Sequence, residues 1–196
     1  MRSGIIGYGT YVPKYRIKRE EIARVWRGRA RGENSIAGGD EDAITMAVEA
    51  AFNAIYQSGV DPAGGIEAVY LGTTSAPYIE HSLVGVIADT LGVNPYAEQA
   101  DFGLSPRAGV SALKACLDAI QAKRIGKGLV IGSDCRSASP GSDQELTFGA
   151  GAAAYILGAE KAIVEVEALH SYSSYFQRRL DEQGPPLGRH RCWSNS

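Results

Sequence analysis

Short apolar runs recur along the chain, and longer amphipathic segments separate them. An uninterrupted apolar run of this kind, bounded by glycine or polar residues, predicts a strand that is buried on both faces. The clearest examples are 66–72 and 128–132. The predicted strands are 4–9, 66–72, 96–102, 128–132, and a last pair at 148–157 and 162–169.

Helical spacing of apolar residues predicts four helices between these runs. They are 19–27, a segment that opens at Asp40-Glu41-Asp42 and ends at Gly59, 81–91, and 106–124. Acids in the first turn of the second helix complement its dipole. The residues expected to face inward are Ile44, Val48, Ala51, Phe52 and Ile55 on the second helix, and Val110, Leu113, Leu117 and Ile120 on the fourth. Residues 28–39, rich in glycine and charge, are expected to form a loop.

Alternation of strands with long helices predicts an α/β layered fold with a mixed sheet. Because the apolar runs are continuous, we expect helices to cover both faces of that sheet. Residues 176–196 break the pattern with Gly184-Pro185-Pro186 and a run of polar residues. We therefore expect a disordered tail there.

Composition narrows the class of protein further. The 196 residues carry a net charge of −2, which gives no overall field for binding nucleic acid. No apolar run reaches the length of a transmembrane helix, and the N-terminus shows no secretory signal, so we expect a cytoplasmic protein that does not bind membranes. The three cysteines, Cys116, Cys135 and Cys192, and the three histidines are scattered, which predicts no metal site.

A set of motifs, taken in order, resembles the N-terminal half of the thiolase superfamily, most closely its hydroxymethylglutaryl-CoA synthase-like branch. The resemblance covers about residues 4–175. It rests on Ile5-Ile6-Gly7-Tyr8-Gly9-Thr10-Tyr11-Val12-Pro13, the segment from Asp40 to Ala51, Val69-Tyr70-Leu71-Gly72-Thr73-Thr74-Ser75, Ile131-Gly132-Ser133-Asp134, Pro140-Gly141-Ser142-Asp143, Glu145 and Gly149-Ala150-Gly151-Ala152-Ala153-Ala154.

The resemblance implies a fold and a reaction class. Each half of such a protein is a β-α-β-α-β-α-β-β unit, and two halves stack as five layers. Residues 1–175 would form one half-domain, and 176–196 an unmatched tail. The implied activity is acyl transfer or Claisen-type condensation on acyl-CoA thioesters, with coenzyme A as part of the substrate and no metal or redox cofactor.

The resemblance also implies three catalytic groups, and the chain departs from each. The cysteine nucleophile aligns with Pro106, and the glutamate acid/base aligns with Thr74. The histidine belongs to a second half. Ser105 is the nearest replacement for the nucleophile, but its position before Pro106 also suits the N-cap of the next helix.

Other residues keep two interpretations. Cys135 ends a strand where the superfamily places active-site loops, so it is either structural or part of the site. His81 is either a surface or capping residue or a replacement acid/base close to Thr74. Cys116 is expected to be a buried, inert thiol, and Asp134 and Glu145 are interpreted as loop-anchoring acids.

A basic stretch between Lys14 and Arg31 is either a solvated face or a docking rim for the phosphates of coenzyme A. In related condensing enzymes an aromatic residue and an arginine lie near this helix. The residues that correspond here are Trp26, Arg27, Arg29 and Arg31.

Two functions from different classes remain. The first is a hydroxymethylglutaryl-CoA synthase-like acyltransferase seen as its N-terminal half. The second is a non-catalytic thiolase-fold subunit that binds a thiolase and a zinc-ribbon/OB-fold protein. A lone half would expose the helix layer meant for the other half, so we expect a homodimer or a hetero-oligomer. We also expect the chain end to reflect a truncation, a frameshift or a natural half-length protein.

Overall fold

The computed structural model describes residues 3–26, 28–160 and 162–172. Within these ranges the chain forms eight strands, numbered in chain order. They are β1 (Gly4–Tyr11), β2 (Tyr15–Lys18), β3 (Glu33–Ile36), β4 (Ala68–Gly72), β5 (Glu98–Phe102), β6 (Lys127–Cys135), β7 (Ala150–Gly158) and β8 (Val164–Glu165). The expected boundary at 175 and the tail 176–196 lie outside the described residues.

The described ranges also hold five α-helices. These are α1 (Arg19–Val25), α2 (Ala43–Ser58), α3 (Pro62–Gly65), α4 (Leu83–Thr90) and α5 (Ala108–Gln121). A 3-10 helix, Asp143–Leu146, lies between β6 and β7. None of the helices in the described part of the chain is long and apolar enough to span a membrane.

Six strands form one mixed sheet in the order β5-β4-β6-β7-β1-β8. β4 runs parallel to β5 and to β6, and the remaining pairs are antiparallel. The two strands expected at 148–157 and 162–169 both belong to this sheet, as β7 and the much shorter β8, and β1 lies between them. β2 and β3 pair in a separate antiparallel hairpin that has α1 in its connection, and β3 lies inside residues 28–39, which were expected to form a loop.

Helices cover the two faces of the large sheet, as the continuous apolar runs predicted. On one face α2 and α4 pack against Val69, Leu71 and Leu129. On the other face α5 packs against Tyr70 and Val130. Successive residues of β4 and β6 thus enter different cores, which explains why these strands carry no polar alternation. The α/β layered fold is confirmed.

The boundaries of α2 follow from its capping residues. Asp42 is the N-cap, and its carboxylate accepts from the Ile44 and Thr45 amides at 2.9 and 2.8 Å. Thr45 Oγ1 accepts from the Asp42 amide in return, which completes a capping box. Gly59 ends the helix with φ of 68°. The helix begins at Ala43, so the expectation that acids occupy its first turn is wrong.

Glycines on the strands bring the helices unusually close to the sheet. A Cβ built on Gly9 would lie 2.3 Å from the Ala50 carbonyl oxygen of α2. A Cβ on Gly72 would lie 2.3 Å from the Gly109 amide of α5. These contacts leave no room for a side chain, so backbone packs directly on backbone at both places.

Two inward-facing residues were predicted wrongly for this reason. Phe52 on α2 is 45% exposed, and Val110 on α5 is 59% exposed. The contact face of α2 is formed instead mainly by small residues, which fit the short distance to the glycine-bearing strands. They are Ala43, Ala47, Ala50, Ala51 and Ala54, and Ile44 and Met46 are buried beside them.

We expect Gly72→Ala to destabilise the protein by about 1–3 kcal/mol, because its methyl group would displace the first turn of α5. Gly132→Ala is the matched control, since a Cβ there meets nothing within 4 Å. Urea unfolding of both variants checks this. Equal midpoints for the two variants would contradict the packing argument.

Candidate functional site

The carboxyl ends of three parallel strands converge near the start of α5. Gly72 of β4 pairs with Gly132 of β6 and with Phe102 of β5. The residues that follow these positions therefore gather at one edge of the sheet. They are Thr73, Thr74 and Ser75 after β4, Asp134 and Cys135 as the last two residues of β6, and Ser105 and Pro106 beyond β5.

Asp134 holds the loop after β4 in place. Its Oδ1 atom accepts from the Thr74 amide at 2.7 Å, from Ser75 Oγ at 2.9 Å, and from Thr73 Oγ1 and Thr74 Oγ1 at 3.1 Å each. A carboxylate oxygen with several donors is a strong local anchor. Asp134 is thus the loop-anchoring acid that the sequence indicated.

Thr74 and Cys135 line the same cavity, and Ser75 links them through hydrogen bonds. The Cys135 amide donates to Ser75 Oγ at 2.8 Å, and that hydroxyl donates in turn to Asp134. The cavity measures about 370 Å³. We call it the hydroxyl cavity; its lining is Thr74, Ser75, Ala76, Cys135, Arg136, Ser137, Ala138 and Ser139.

A second cavity, of about 320 Å³, lies beside the β2–β3 hairpin. We call it the hairpin cavity. It is lined by Ile17, Ile22, residues 34–37, residues 135–138, Glu145 and residues 148–150. The two cavities share residues 135–138, so Cys135 faces both of them. The two cavities therefore adjoin along residues 135–138, between the end of β4 and the hairpin.

Glu145 forms part of the wall of the hairpin cavity. Its Oε2 atom accepts from Trp26 Nε1 at 2.9 Å and from the Gly141 amide at 2.7 Å. Its carbonyl oxygen accepts from Asn34 Nδ2 at 3.3 Å. This second acid also anchors a loop, as expected. Sequence reasoning did not predict that it ties α1 to the connection between β6 and β7.

Ser105 and Pro106 lie before α5, but not as predicted. The N-cap is Arg107, and the helix has no side-chain cap. Ser105 carbonyl accepts from the Ala108 amide at 2.9 Å, so residues 105–108 form a turn that precedes the helix. Ser105 is thus not the N-cap itself, although its Oγ accepts from the Arg107 amide at 3.4 Å at the start of the helix. Neither of these two described residues lines the hydroxyl or the hairpin cavity.

His81 lies in a different cavity from Thr74. Its ring contacts the Tyr78 ring edge-on, with centroids 5.6 Å apart. The cavity it lines, of about 890 Å³, is walled by residues 77–81, by Val86 and by the start of α2. The structure thus brings together Thr74 and Cys135 but does not add His81 to them.

The residues expected to bind coenzyme A are spread over two places. The Trp26 side chain is half-exposed, and its Nε1 donates a hydrogen bond to Glu145. Arg29 and Arg31 line a separate cavity of about 510 Å³ with Arg24 and Glu20, which we call the basic cavity. Arg27 lies outside the described residues. Among the described residues, no group of three or more His, Cys, Asp or Glu side chains is placed to hold a metal ion.

We expect Asp134→Asn to destabilise the protein by about 1–3 kcal/mol, because an amide replaces a charged acceptor of four hydrogen bonds. Amide hydrogen exchange in residues 73–75 should accelerate as well. Asp143→Asn, at an exposed carboxylate, is the control. An unchanged exchange rate in residues 73–75 would rule out the anchoring role.

We expect thiol reagents to modify Cys135 much faster than Cys116 in the folded protein. Burial in the α5 core raises the pKa of Cys116 to about 12, so its thiolate is scarce even at mildly alkaline pH. Cys135 is only partly buried. Peptide mapping after brief alkylation in a Cys192→Ser background measures both rates, and urea should abolish the difference. Equal rates before unfolding would be incompatible with this structure.

Comparison with known proteins yields a consistent set of relatives. No protein-family model matches the chain. The hydroxymethylglutaryl-CoA synthase of Methanothermobacter thermautotrophicus is 37% identical over 196 aligned residues, which cover 96% of this chain and 56% of that protein. The enzyme of the same name from Archaeoglobus fulgidus is 42% identical and covers 87% of this chain and 52% of that protein.

The chain therefore spans about half the length of the curated relatives it matches. Coverage of 96% of this chain means that the similarity extends past residue 175, into the range expected to be unmatched. The domain boundary itself stays a prediction.

Solved structures show the same fold. The priming β-ketosynthase of the R1128 polyketide pathway superposes with a TM-score of 0.74 at 25% identity, over 82% of this chain and 51% of its own. OleA of Xanthomonas campestris, with bound lauric acid and lauroyl-CoA, superposes with a TM-score of 0.71 at 17% identity, over 81% of this chain and 56% of its own. By sequence and by fold, this chain matches the N-terminal half of the hydroxymethylglutaryl-CoA synthase-like members of the thiolase superfamily.

Proposed function

We propose that this chain binds an acyl-CoA thioester along the hydroxyl and hairpin cavities, as the N-terminal half of a hydroxymethylglutaryl-CoA synthase-like acyltransferase. The observation that carries the proposal is the sharing of residues 135–138 by the two cavities, because it gives an extended ligand two adjoining sites beside one thiol. The relatives support it, since they are synthases and one solved neighbour holds lauroyl-CoA. They do not favour the non-catalytic subunit.

The proposal places the nucleotide end of coenzyme A at α1. Trp26 offers a half-exposed aromatic ring, and Arg29 and Arg31 carry charges that attract phosphate groups. The hairpin cavity, with Ile17, Ile22 and Ile36 in its wall, takes the less polar pantetheine arm. No metal or redox cofactor is needed for this chemistry.

The acyl acceptor in this proposal is Cys135. Its thiolate attacks the thioester carbonyl carbon, the carbon–sulfur bond to coenzyme A breaks, and the leaving thiolate takes up the proton that Cys135 lost. Cys135 is favoured over Ser105 because it lines both cavities, whereas Ser105 lines neither. Pro106 carries no nucleophile. Thr74 offers a hydroxyl instead of a carboxyl, so it serves to orient the ligand and not to move a proton.

The partner is also a proposal. Val110 and the fully exposed Leu104 lie on and before α5, on the layer expected to pack against another half. We propose that this surface is covered by a second half, a second copy of the chain, or a thiolase that associates with a zinc-ribbon/OB-fold protein. A cytoplasmic location stays a prediction.

We expect incubation with acetyl-CoA to add the mass of one acetyl group, measured on the intact protein and mapped to Cys135. Cys135→Ala should abolish the adduct, and Ser105→Ala should retain it. An adduct mapped to Ser105 would overturn the assignment of Cys135. Binding of acetyl-CoA with no adduct would indicate the non-catalytic subunit, and absence of binding would overturn the proposed function.

A further inference from the structure

Trp26 is attached to the loop that walls the hairpin cavity. One carboxylate oxygen, Oε2 of Glu145, accepts from both Trp26 Nε1 and the Gly141 amide. Gly141 has a φ of 78°, and a Cβ built on it would lie 3.4 Å from two carbon atoms of the Trp26 ring. The indole is therefore held at its edge by the carboxylate and on one side by the Gly141 backbone. About half of its surface stays open to solvent.

The loop that contains Gly141 and Glu145 also forms part of the wall of the hairpin cavity. Glu145 belongs to the 3-10 helix, and the Phe148 amide donates to Gln144 carbonyl at 2.8 Å at its end. Glu145 and Phe148 both line the hairpin cavity, where the Arg136 guanidinium lies 4.1 Å from the centre of the Phe148 ring. A shift of the 3-10 helix therefore moves the cavity wall, and the indole cannot leave its position without releasing Glu145.

We propose that Glu145 is a positioning residue that couples the nucleotide end of a bound CoA thioester to the acyl end. A nucleotide base stacked on the open side of Trp26 keeps the indole on Glu145 and Gly141, which keeps the 3-10 helix and Phe148 in the arrangement that the acyl-pantetheine arm requires. Occupancy of each end then strengthens binding at the other, because such a coupling is reciprocal. This inference rests on the proposed function.

The two halves of acetyl-CoA test it separately. Adenosine 3′,5′-bisphosphate represents the nucleotide end, and S-acetylpantetheine represents the acyl end. Isothermal titration calorimetry of each ligand, alone and with the other at saturation, gives the coupling as a ratio of dissociation constants. For the unaltered protein we expect each ligand to tighten the other by about five- to tenfold.

Four variants separate the coupling from the stability of the fold. Trp26→Phe keeps a ring for stacking but removes the indole N–H, so the bisphosphate should still bind while the coupling is lost. Glu145→Ala should also abolish the coupling, and Glu145→Gln, which keeps an acceptor oxygen, should restore part of it. Asp143→Asn changes a charge on the same 3-10 helix without touching Trp26 and should leave the coupling intact.

Each outcome decides the question. Coupling that is lost in Trp26→Phe and Glu145→Ala but kept in Asp143→Asn supports the inference. Two ligands that bind the unaltered protein independently, or coupling that survives in Glu145→Ala, overturn the inference and leave the proposed function standing. If neither half-ligand nor acetyl-CoA binds, the proposed function fails together with it.

Discussion

The backbone contact between Gly72 and the first turn of α5 is the constraint on which the site depends. Because Gly72 has no side chain, the Gly109 amide approaches to 2.3 Å from where a Cβ would stand. This approach fixes the start of α5 over the ends of β4 and β6, at the edge where the hydroxyl cavity opens. On the opposite face, Gly9 lets α2 approach the sheet equally closely. The distance between the sheet and its helices therefore depends on glycine in the strands and alanine in the helices.

Two carboxylates organise the polar part of the molecule by the same physical means. Each has one oxygen that accepts more than one hydrogen bond, including at least one from a distant part of the chain. Asp134 accepts hydrogen bonds from the loop after β4, some 60 residues away in sequence. Glu145 accepts one from Trp26, 119 residues away in sequence. The hydrogen bonds that such a carboxylate accepts offset the cost of its partial desolvation and fix its loop. A loop without this anchor would lose conformational entropy when a ligand binds. The two cavities lie between these anchors.

Sequence reasoning was strongest where burial alone decides the structure and weakest where distant segments meet. Strands at 66–72 and 128–132 were predicted because both of their faces are buried. The β2–β3 hairpin was missed because Tyr15–Lys18 is polar and mostly exposed, so it gives no apolar signal. Phe52 and Val110 were misplaced because helical spacing does not reveal how close a helix lies to glycine. The loop-anchoring roles of Asp134 and Glu145 were predicted, but their partners and the shared wall at 135–138 arise from tertiary pairing.

The lining of the two cavities argues for a division of chemistry between this half and other residues. Among the described residues that line them, the one carboxylate is Glu145, and both Trp26 and Gly141 already occupy its Oε2 atom. The rest of the polar lining consists of hydroxyls, an amide, a thiol and a guanidinium, which bind and orient an acyl thioester well. At neutral pH they are poor bases for removing a proton from carbon, apart from the thiol in its thiolate form. A condensation would therefore need an acid/base group supplied from outside these cavities, whereas the proposed acyl binding and transfer to Cys135 would use groups that line these cavities.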